Sequence, residues 1–472
     1  MTFRFPEITR RNLLRISATG LLASAGAAIL QSPFLTPAIA AQPQAPRGRD
    51  ITHLGVRPNS PDNQTRALQR AIDDAARTQT PLALPPGRYV TGLLQLHSGT
   101  QLFGVRGATT LVFSGGPSLL SGEGANHVTL NGLTLDGRNI TLPQRRGLIH
   151  CLGAPDGVSG RSLAIRDCEI IDCGGGGIWL ENIAGSVSGN ALSNIHSTAI
   201  VSFNARGLIV AQNTIIGTSD NGIEILRHSL GDDGSMVIDN RIENIKAGPG
   251  GSGQHGNAIN AFRAANVIIR GNRISNCDYS AVRGNSASNI QIIGNSVSDV
   301  REVALYAEFA FEGAVIADNT VDGAAVGVSV CNFNEGGRIA TVNGNIIRNL
   351  IPKRPIGTAP DDDAGIGIYV EADSAVTGNV IENAPSFGIM SGWGKYMRDV
   401  AITGNVVRNS HIGIGVSVVP GAGTTLVSNN IVSGTPGGAV IGLDHAKSVT
   451  GDLTLPGAVR SPQVSIGTNA IR

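Results

Sequence analysis

The chain has 472 residues, with 63 Gly, 22 Pro, 41% hydrophobic, only 4% aromatic and 15% charged residues, against roughly 25% charged in an average soluble domain. Its formal net charge is +1, and because residues 1–40 hold four Arg and one Glu, the remainder carries −2. A basic nucleic-acid binder, a coiled coil and a disordered acidic chain are excluded, and no broad field steers a polyanion toward the molecule.

In chain order, Thr9-Arg10-Arg11-Asn12-Leu13-Leu14-Arg15 precedes a weakly apolar stretch from Ile16 to Leu30, and Ala38-Ile39-Ala40 follows. Paired arginines, an apolar residue two positions on, a moderate apolar region and a small-residue cleavage site resemble a twin-arginine export signal. The resemblance implies removal of residues 1–40, the twin-arginine export machinery as a partner, and a periplasmic or extracellular mature protein without a membrane span. A retained N-terminal anchor is the alternative. No other stretch approaches the roughly 20 apolar residues a span needs. Residues 41–80 read as a linker and a capping helix, since Asp62 to Arg77 places Leu68, Ile72 and Ala76 at helical spacing.

From there the sequence repeats. The phrase apolar-x-apolar-x-Gly-Asn-x-apolar, as in Val267 to Ile274, returns with its asparagine at Asn190, Asn213, Asn240, Asn272, Asn295, Asn319, Asn345, Asn379, Asn405 and Asn430. An aliphatic stands two residues after each, and Asn, Asp or Gly four residues after, as at Asn194, Asn244, Asn276, Asp299, Asn349, Asn383 and Asn409. Residues 163–173 extend the series upstream with Cys168 in the Asn slot, and Val128 to Gly137 is a degenerate copy. Short period-2 strands and Gly/Asn turns at this period predict coils of a parallel β-helix, because no coil buries its apolar face alone. Helical solenoids fit poorly with so much Gly and Asn. Each ladder asparagine is expected at a tight turn, in left-handed backbone, bonded to neighbouring coils.

The order of cap helix, Leu84-Pro85-Pro86-Gly87-Arg88-Tyr89, Gly-rich first coils and Gly-Asn repeats resembles the pectin-lyase-like right-handed parallel β-helix superfamily. With the leader, the chain also looks like a group of twin-arginine-exported bacterial β-helix repeat proteins. The resemblance, over roughly residues 50–450, implies an all-β, single-stranded right-handed parallel β-helix of about twelve coils with an N-terminal capping helix. Its expected bounds are 81–450, with 451–472 as a C-terminal cap or tail. The superfamily's lyases, hydrolases, epimerases and binding proteins leave the activity open.

A further strand in each coil, such as Gly222-Ile223-Glu224 or Ala281-Val282-Arg283, has an aliphatic middle residue that points inward, so the next residue points outward. This yields an outward column of Trp179, Val201, Glu224, Asn260, Arg283, Tyr306, Ser329, Tyr369 and Met390. A second column holds Glu181, Phe203, Leu226, Phe262, Asn285, Glu308, Cys331 and Glu371, and His196, Asp220, His255, Asp278 and Tyr279 stand at the leading edge. Scarce aromatics gather on this face, and the insertions Arg227 to Gly234, Lys246 to Gln254 and Ile351 to Asp363 adjoin it, as insertions rimming a binding groove do.

One chemistry this face offers is proton abstraction beside a uronate carboxylate, with Arg283 neutralising the carboxylate, His255 as base and Tyr306 as phenolic acid. Trp179, Glu224, Asn260, Tyr279, Asn285, Glu308, Tyr369 and Glu371 would then contact an acidic polysaccharide, by a lyase- or epimerase-type reaction. A non-catalytic glycan- or envelope-binding repeat protein is the main alternative. An inverting glycosidase using Asp220/Asp278 or Glu308/Glu371, each pair two coils apart, is the second. As outward side chains these residues should matter little for stability: Arg283→Ala is expected to be tolerated and the inward Val282→Ala to cost about 2–4 kcal/mol.

No cofactor is required by this reading and no spacing suggests zinc. Asp361-Asp362-Asp363 with Glu371 could hold calcium, although a solvated acidic loop is the simpler account. Cys151, Cys168, Cys173, Cys277 and Cys331 read mainly as small core or wall residues, with one disulfide as the alternative.

Overall fold

The computed structural model describes residues 48–153, 162–250, 253–359, 362–458 and 461–472. The export signal expected over residues 1–40 lies outside the described residues. Ala45–Arg472 is one compact unit, a parallel β-helix of about 13 turns.

Each full coil contributes three strands. The first belongs to a sixteen-stranded sheet, and the other two belong to a twenty-eight-stranded sheet, because strands such as Val380–Ser391 and Val406–Ser417 run on through the corner between them. Coil-to-coil pairing is parallel throughout the body, with the antiparallel pair Val440–Asp444 and Lys447–Asp452 near the C-terminal end. Inward aliphatics stack in files: Ile200, Ile223, Ile259, Val282, Leu305, Val328, Ile368, Ile389 and Ile414 follow one another in register, and every one is fully buried. Period-2 alternation thus becomes a continuous core only because each coil covers the last.

At the N-terminal end the helix Thr65–Thr78 starts where Asn63 Oδ1 accepts the Thr65 amide at 3.0 Å. It stops at Gln79, whose backbone is left-handed. Leu68, Ala71 and Ile72 are buried and join the core of the first coils, with Leu82, Leu84 and Leu94, so the helix shields apolar surface that no preceding coil covers.

The ladder asparagines form a buried stack. Oδ1 of Asn295 accepts both the Asn272 amide and the Asn272 Nδ2, each at 2.9 Å, and Asn295 Nδ2 donates to Ile269 O at 3.0 Å and to Asn319 Oδ1 at 3.0 Å. The same pattern runs from Asn190 to Asn430 and continues to Asn469, where Val464–Ile466 and Ala470–Ile471 complete one more coil. At the other end Cys168, in the Asn slot, donates its amide to Asn190 Oδ1 at 2.9 Å.

One expectation needs correction. The residue before each ladder asparagine takes the left-handed backbone (Gly189, Gln212, Asp239, Gly271, Gly294), as do Asn194, Asn244, Asn276 and Asp299 four residues after it. The ladder asparagine itself has its side chain directed into the stack, and the two flanking residues make the corner. All five cysteines are buried and free.

Candidate functional site

The outward column falls in register as the alternation requires. Trp179 pairs with Val201, and then Glu224, Asn260, Arg283, Tyr306, Ser329, Tyr369 and Met390 follow, coil by coil. The second column, Glu181, Phe203, Leu226, Phe262, Asn285 and Glu308, does the same. At about 4.8 Å per coil, Trp179 to Met390 spans roughly 38 Å along the axis.

Aromatic rings mark both ends of this trough. Toward the N-terminal end His150, Trp179, Phe203 and His228 form a row, with centroid separations of 6.4, 6.1 and 4.5 Å. His228 is brought there by the insertion after Leu226, where the strand register shifts. Toward the C-terminal end a cavity of about 370 Å³ is lined by Tyr306, Tyr369, Trp393 and Tyr396, with Arg354, Asp362, Asp363 and Glu371 among its polar walls. Trp393 and Tyr396 come from a turn closed by their own mutual bridge. Arg354 and the two aspartates come from the insertion expected to rim the groove.

Carboxylates and their partners occupy the middle. His255 Nδ1 lies 2.9 Å from Asp220 Oδ1. On the Asp220 coil, Asn221 Nδ2 donates to Glu224 Oε1 at 2.7 Å and to Gln254 O at 2.9 Å. Burial, and then the neighbouring Asp220 charge, push the Glu224 carboxyl up to about 7. Asn221 Oδ1 accepts the Asn257 amide at 2.8 Å, Asn257 Oδ1 accepts the Ser280 amide at 3.2 Å, and Ser280 Oγ donates to Glu302 Oε2 at 2.8 Å. A second buried polar ladder therefore runs along the leading corner of the trough.

Arg283 is enclosed. Its Nε donates to Glu308 Oε1 at 2.6 Å, its Nη1 is 3.7 Å from Glu302 Oε2, and its guanidinium lies 5.2 Å from the Tyr306 ring centre. Asn285 Nδ2 also donates to Glu308 Oε1, at 3.0 Å. Glu302 stands 3.9 Å from Arg354 as well. Burial raises the Glu308 carboxyl and the Tyr306 phenol, against the opposing pull of Arg283. The sequence expectation of little loss on Arg283→Ala does not allow for this enclosure: the change takes the cation from the nearly buried Glu308 and one of two from Glu302, an expected cost of about 3–5 kcal/mol.

The structure therefore brings Arg283, Tyr306, Asn285 and Glu308 together. It holds His255 against Asp220, without a hydrogen bond to Arg283 or Tyr306 among the described residues. Asn260 is buried beside Arg283 in register. Tyr279 donates its hydroxyl to Ile356 O at 2.9 Å, tying down the 351–363 insertion. Tyr369 donates to Glu371 Oε1 at 2.5 Å, and the Phe333 amide donates to Glu371 Oε2 at 2.6 Å.

Sequence reading missed Asn221, Asn257 and Glu302, and also Arg354, Trp393 and Tyr396. A signal existed for the corner: Thr198, Asn221, Asn257 and Ser280 each stand two residues before an inward aliphatic. Nothing in the repeat placed the Trp393 turn over the cavity. Asp361 lies outside the described residues; among those described, no group of three or more His, Cys, Asp or Glu is placed to hold a metal ion. Also among them, no helix is long and apolar enough to cross a membrane.

Residues 228–398 match the family model described as the right handed beta helix region. No curated protein matches the sequence. Among solved structures, the N-terminal fragment of the bacteriophage Phi29 gene product 12 is 16% identical, with 89% of this chain and 74% of that one covered at a TM-score of 0.53. The catalytic unit of a thermostable GH87 alpha-1,3-glucanase from Streptomyces thermodiastaticus is 15% identical, with 92% and 70% covered and a TM-score of 0.49. The A-module of the mannuronan C-5 epimerase AlgE4 of Azotobacter vinelandii is 13% identical, with 89% and 100% covered and a TM-score of 0.41. At these identities the likeness is one of fold, and the chain is a right-handed parallel β-helix.

Proposed function

We propose that this protein acts on a glycan laid along the trough, by acid–base hydrolysis centred on Glu224, Asp220 and His255. The observation that carries the reading is the order of groups along one face: stacked rings at one end, a ring-lined cavity at the other, and hydrogen-bonded carboxylates between them. Sugar rings offer apolar faces to aromatics and hydroxyls to carboxylates and amides, and such surfaces alternate along this trough.

A carboxyl raised to about 7 is about half protonated at neutrality and is suited to protonate a leaving glycosidic oxygen. Asp220, paired with His255, is the nearby group that would take the proton of the attacking water. In this balance the C–O bond breaks, the leaving oxygen keeps the Glu224 proton, water supplies the new C–O bond and gives its proton to Asp220, and exchange of that proton through solvent re-forms the Glu224 acid and the Asp220 base. Proton abstraction beside a uronate is less well supported. Arg283 is already answered by Glu302 and Glu308, so an incoming carboxylate would meet two others.

The test is to incubate the mature protein with a panel of neutral, basic and uronate polysaccharides, following new reducing ends together with absorbance from new C=C bonds. Reducing ends without C=C absorbance, lost in Glu224→Gln, are expected. Unsaturated products that depend on Arg283 would instead establish the lyase reading. Binding without turnover by both proteins would leave a glycan-binding module.

A further inference from the structure

Three features outside the reaction centre invite a role: the groove between Leu453 and Ile471 at the C-terminal end, the outward ladder Ile346, Val380, Val406 and Ile431 on the second strand of the coils, and the ring-lined cavity. Nothing in the structure says what would cover the first two. The cavity, by contrast, specifies its ligand through its charge.

Its lining carboxylates are Asp362, Asp363 and Glu371, and its only lining cation among the described residues is Arg354. Arg354 Nη1 is shared between Glu302, outside the lining, at 3.9 Å and Asp362 at 4.0 Å, and its Nε donates to Asp363 O at 2.8 Å, so one cation faces three lining carboxylates. Glu371 is 5% exposed. Its partners are the Tyr369 hydroxyl and the Phe333 and Asn332 amides, and among the described residues no Lys, Arg or His is in ion-pair contact with it. Three hydrogen bonds still leave an acceptor site on a carboxylate that has about four. A nearly buried carboxylate without a counter-ion is costly, so it is met by a cation or holds its proton; burial raises the Glu371 carboxyl.

The rings point to the same chemistry. Arg283 already lies over the Tyr306 ring, and Lys395 Nζ lies 5.4 Å from the Tyr396 ring centre, whereas among the described residues no Lys or Arg lies over Tyr369 or Trp393, the latter meeting the His445 ring edge-on at 5.0 Å. Aromatic faces combined with carboxylates are how proteins recognise ammonium groups.

Building on the glycan reading above, we propose that the cavity is a subsite for a cationic amino sugar, whose ammonium pairs with Glu371 and Asp362 beside the Tyr369 and Trp393 rings. The substrate class is then a glycan with free amino groups, not the acidic polysaccharide expected from sequence. An N-acetylated sugar loses the charge, and a uronate brings the wrong sign.

The experiment measures binding of three hexasaccharides by calorimetry and by tryptophan fluorescence: (1→4)-linked glucosamine, its fully N-acetylated form, and oligogalacturonate. At least tenfold tighter binding of the glucosamine hexamer is expected, weakening several-fold between 50 and 300 mM salt. Both Glu371→Gln and Asp362→Asn should reduce it at least fivefold. The second variant matters because Asp362 has a side chain 43% exposed, so it folds even if Glu371→Gln does not. Equal or tighter binding of the N-acetylated form, preference for oligogalacturonate, or full binding by Asp362→Asn would overturn the ammonium subsite while leaving the glycan trough standing. Failure of every glycan to bind, in this assay and in the polysaccharide panel, would overturn both.

Discussion

Replacing Asn295 by Ala tests what holds the coils in register. The side chain is fully enclosed, and its Oδ1 is the acceptor for two donors, the Asn272 amide and one Asn272 Nδ2 hydrogen. Its own Nδ2 serves Ile269 O and Asn319 Oδ1. After truncation the Asn272 amide has no acceptor, while Asn272 Nδ2 keeps only its bond to Val237 O. A buried orphaned group costs about 1–3 kcal/mol, so two orphaned hydrogens together with a vacated volume predict a loss of about 4 kcal/mol. The comparison is Asn276→Gly, which removes an exposed Asn–Asn bond of 2.6 Å but keeps the left-handed backbone available, and should cost under about 1 kcal/mol. Because solenoids can open locally, guanidinium unfolding should be read together with hydrogen exchange across residues 267–300. Protection there should collapse in Asn295→Ala and persist in Asn276→Gly. Equal costs for the two variants would refute the argument that the stack, rather than apolar burial alone, fixes the register.

Glu224 gives a pH test. Its carboxyl is raised from 4.5 to about 7, so between those values the unfolded chain binds fewer protons than the folded one, and stability falls as pH rises. The full change corresponds to about 3 kcal/mol; Glu224→Gln should flatten this part of the stability–pH curve, and an unchanged curve would count against the burial of that charge. Val282→Ala, which empties a fully buried position, should lower stability by about 2–4 kcal/mol, and Arg283→Ala should lower it by a comparable amount, both read from thermal or denaturant unfolding. Arg10→Lys together with Arg11→Lys is expected to abolish export, followed by fractionation of cells; undiminished export would show that the leader is misread.

The asparagine spacing was enough to determine the architecture. A residue type that recurs with an aliphatic two places on and a turn former four places on has one economical solution, a stack in which each coil supplies the hydrogen-bond partners and apolar cover of the next. The outward columns followed from alternation alone, and Trp179, Glu224, Arg283, Tyr306 and Tyr369 lie on one face for that reason. The meaning of those side chains was a tertiary matter. Nothing in the sequence said that Glu302, one residue out of the repeat's pattern, would reach Arg283 and Arg354 together, or that Arg283 would be consumed by carboxylates from its own wall. His255 was read as a base for Arg283 and Tyr306, but it is partnered by Asp220 on the preceding coil. Trp393 and Tyr396 entered the cavity through a turn that follows no periodicity. Periodicity fixes which way a side chain leaves the backbone, whereas its charge partners depend on distances across coils and insertions, which only the folded stack sets.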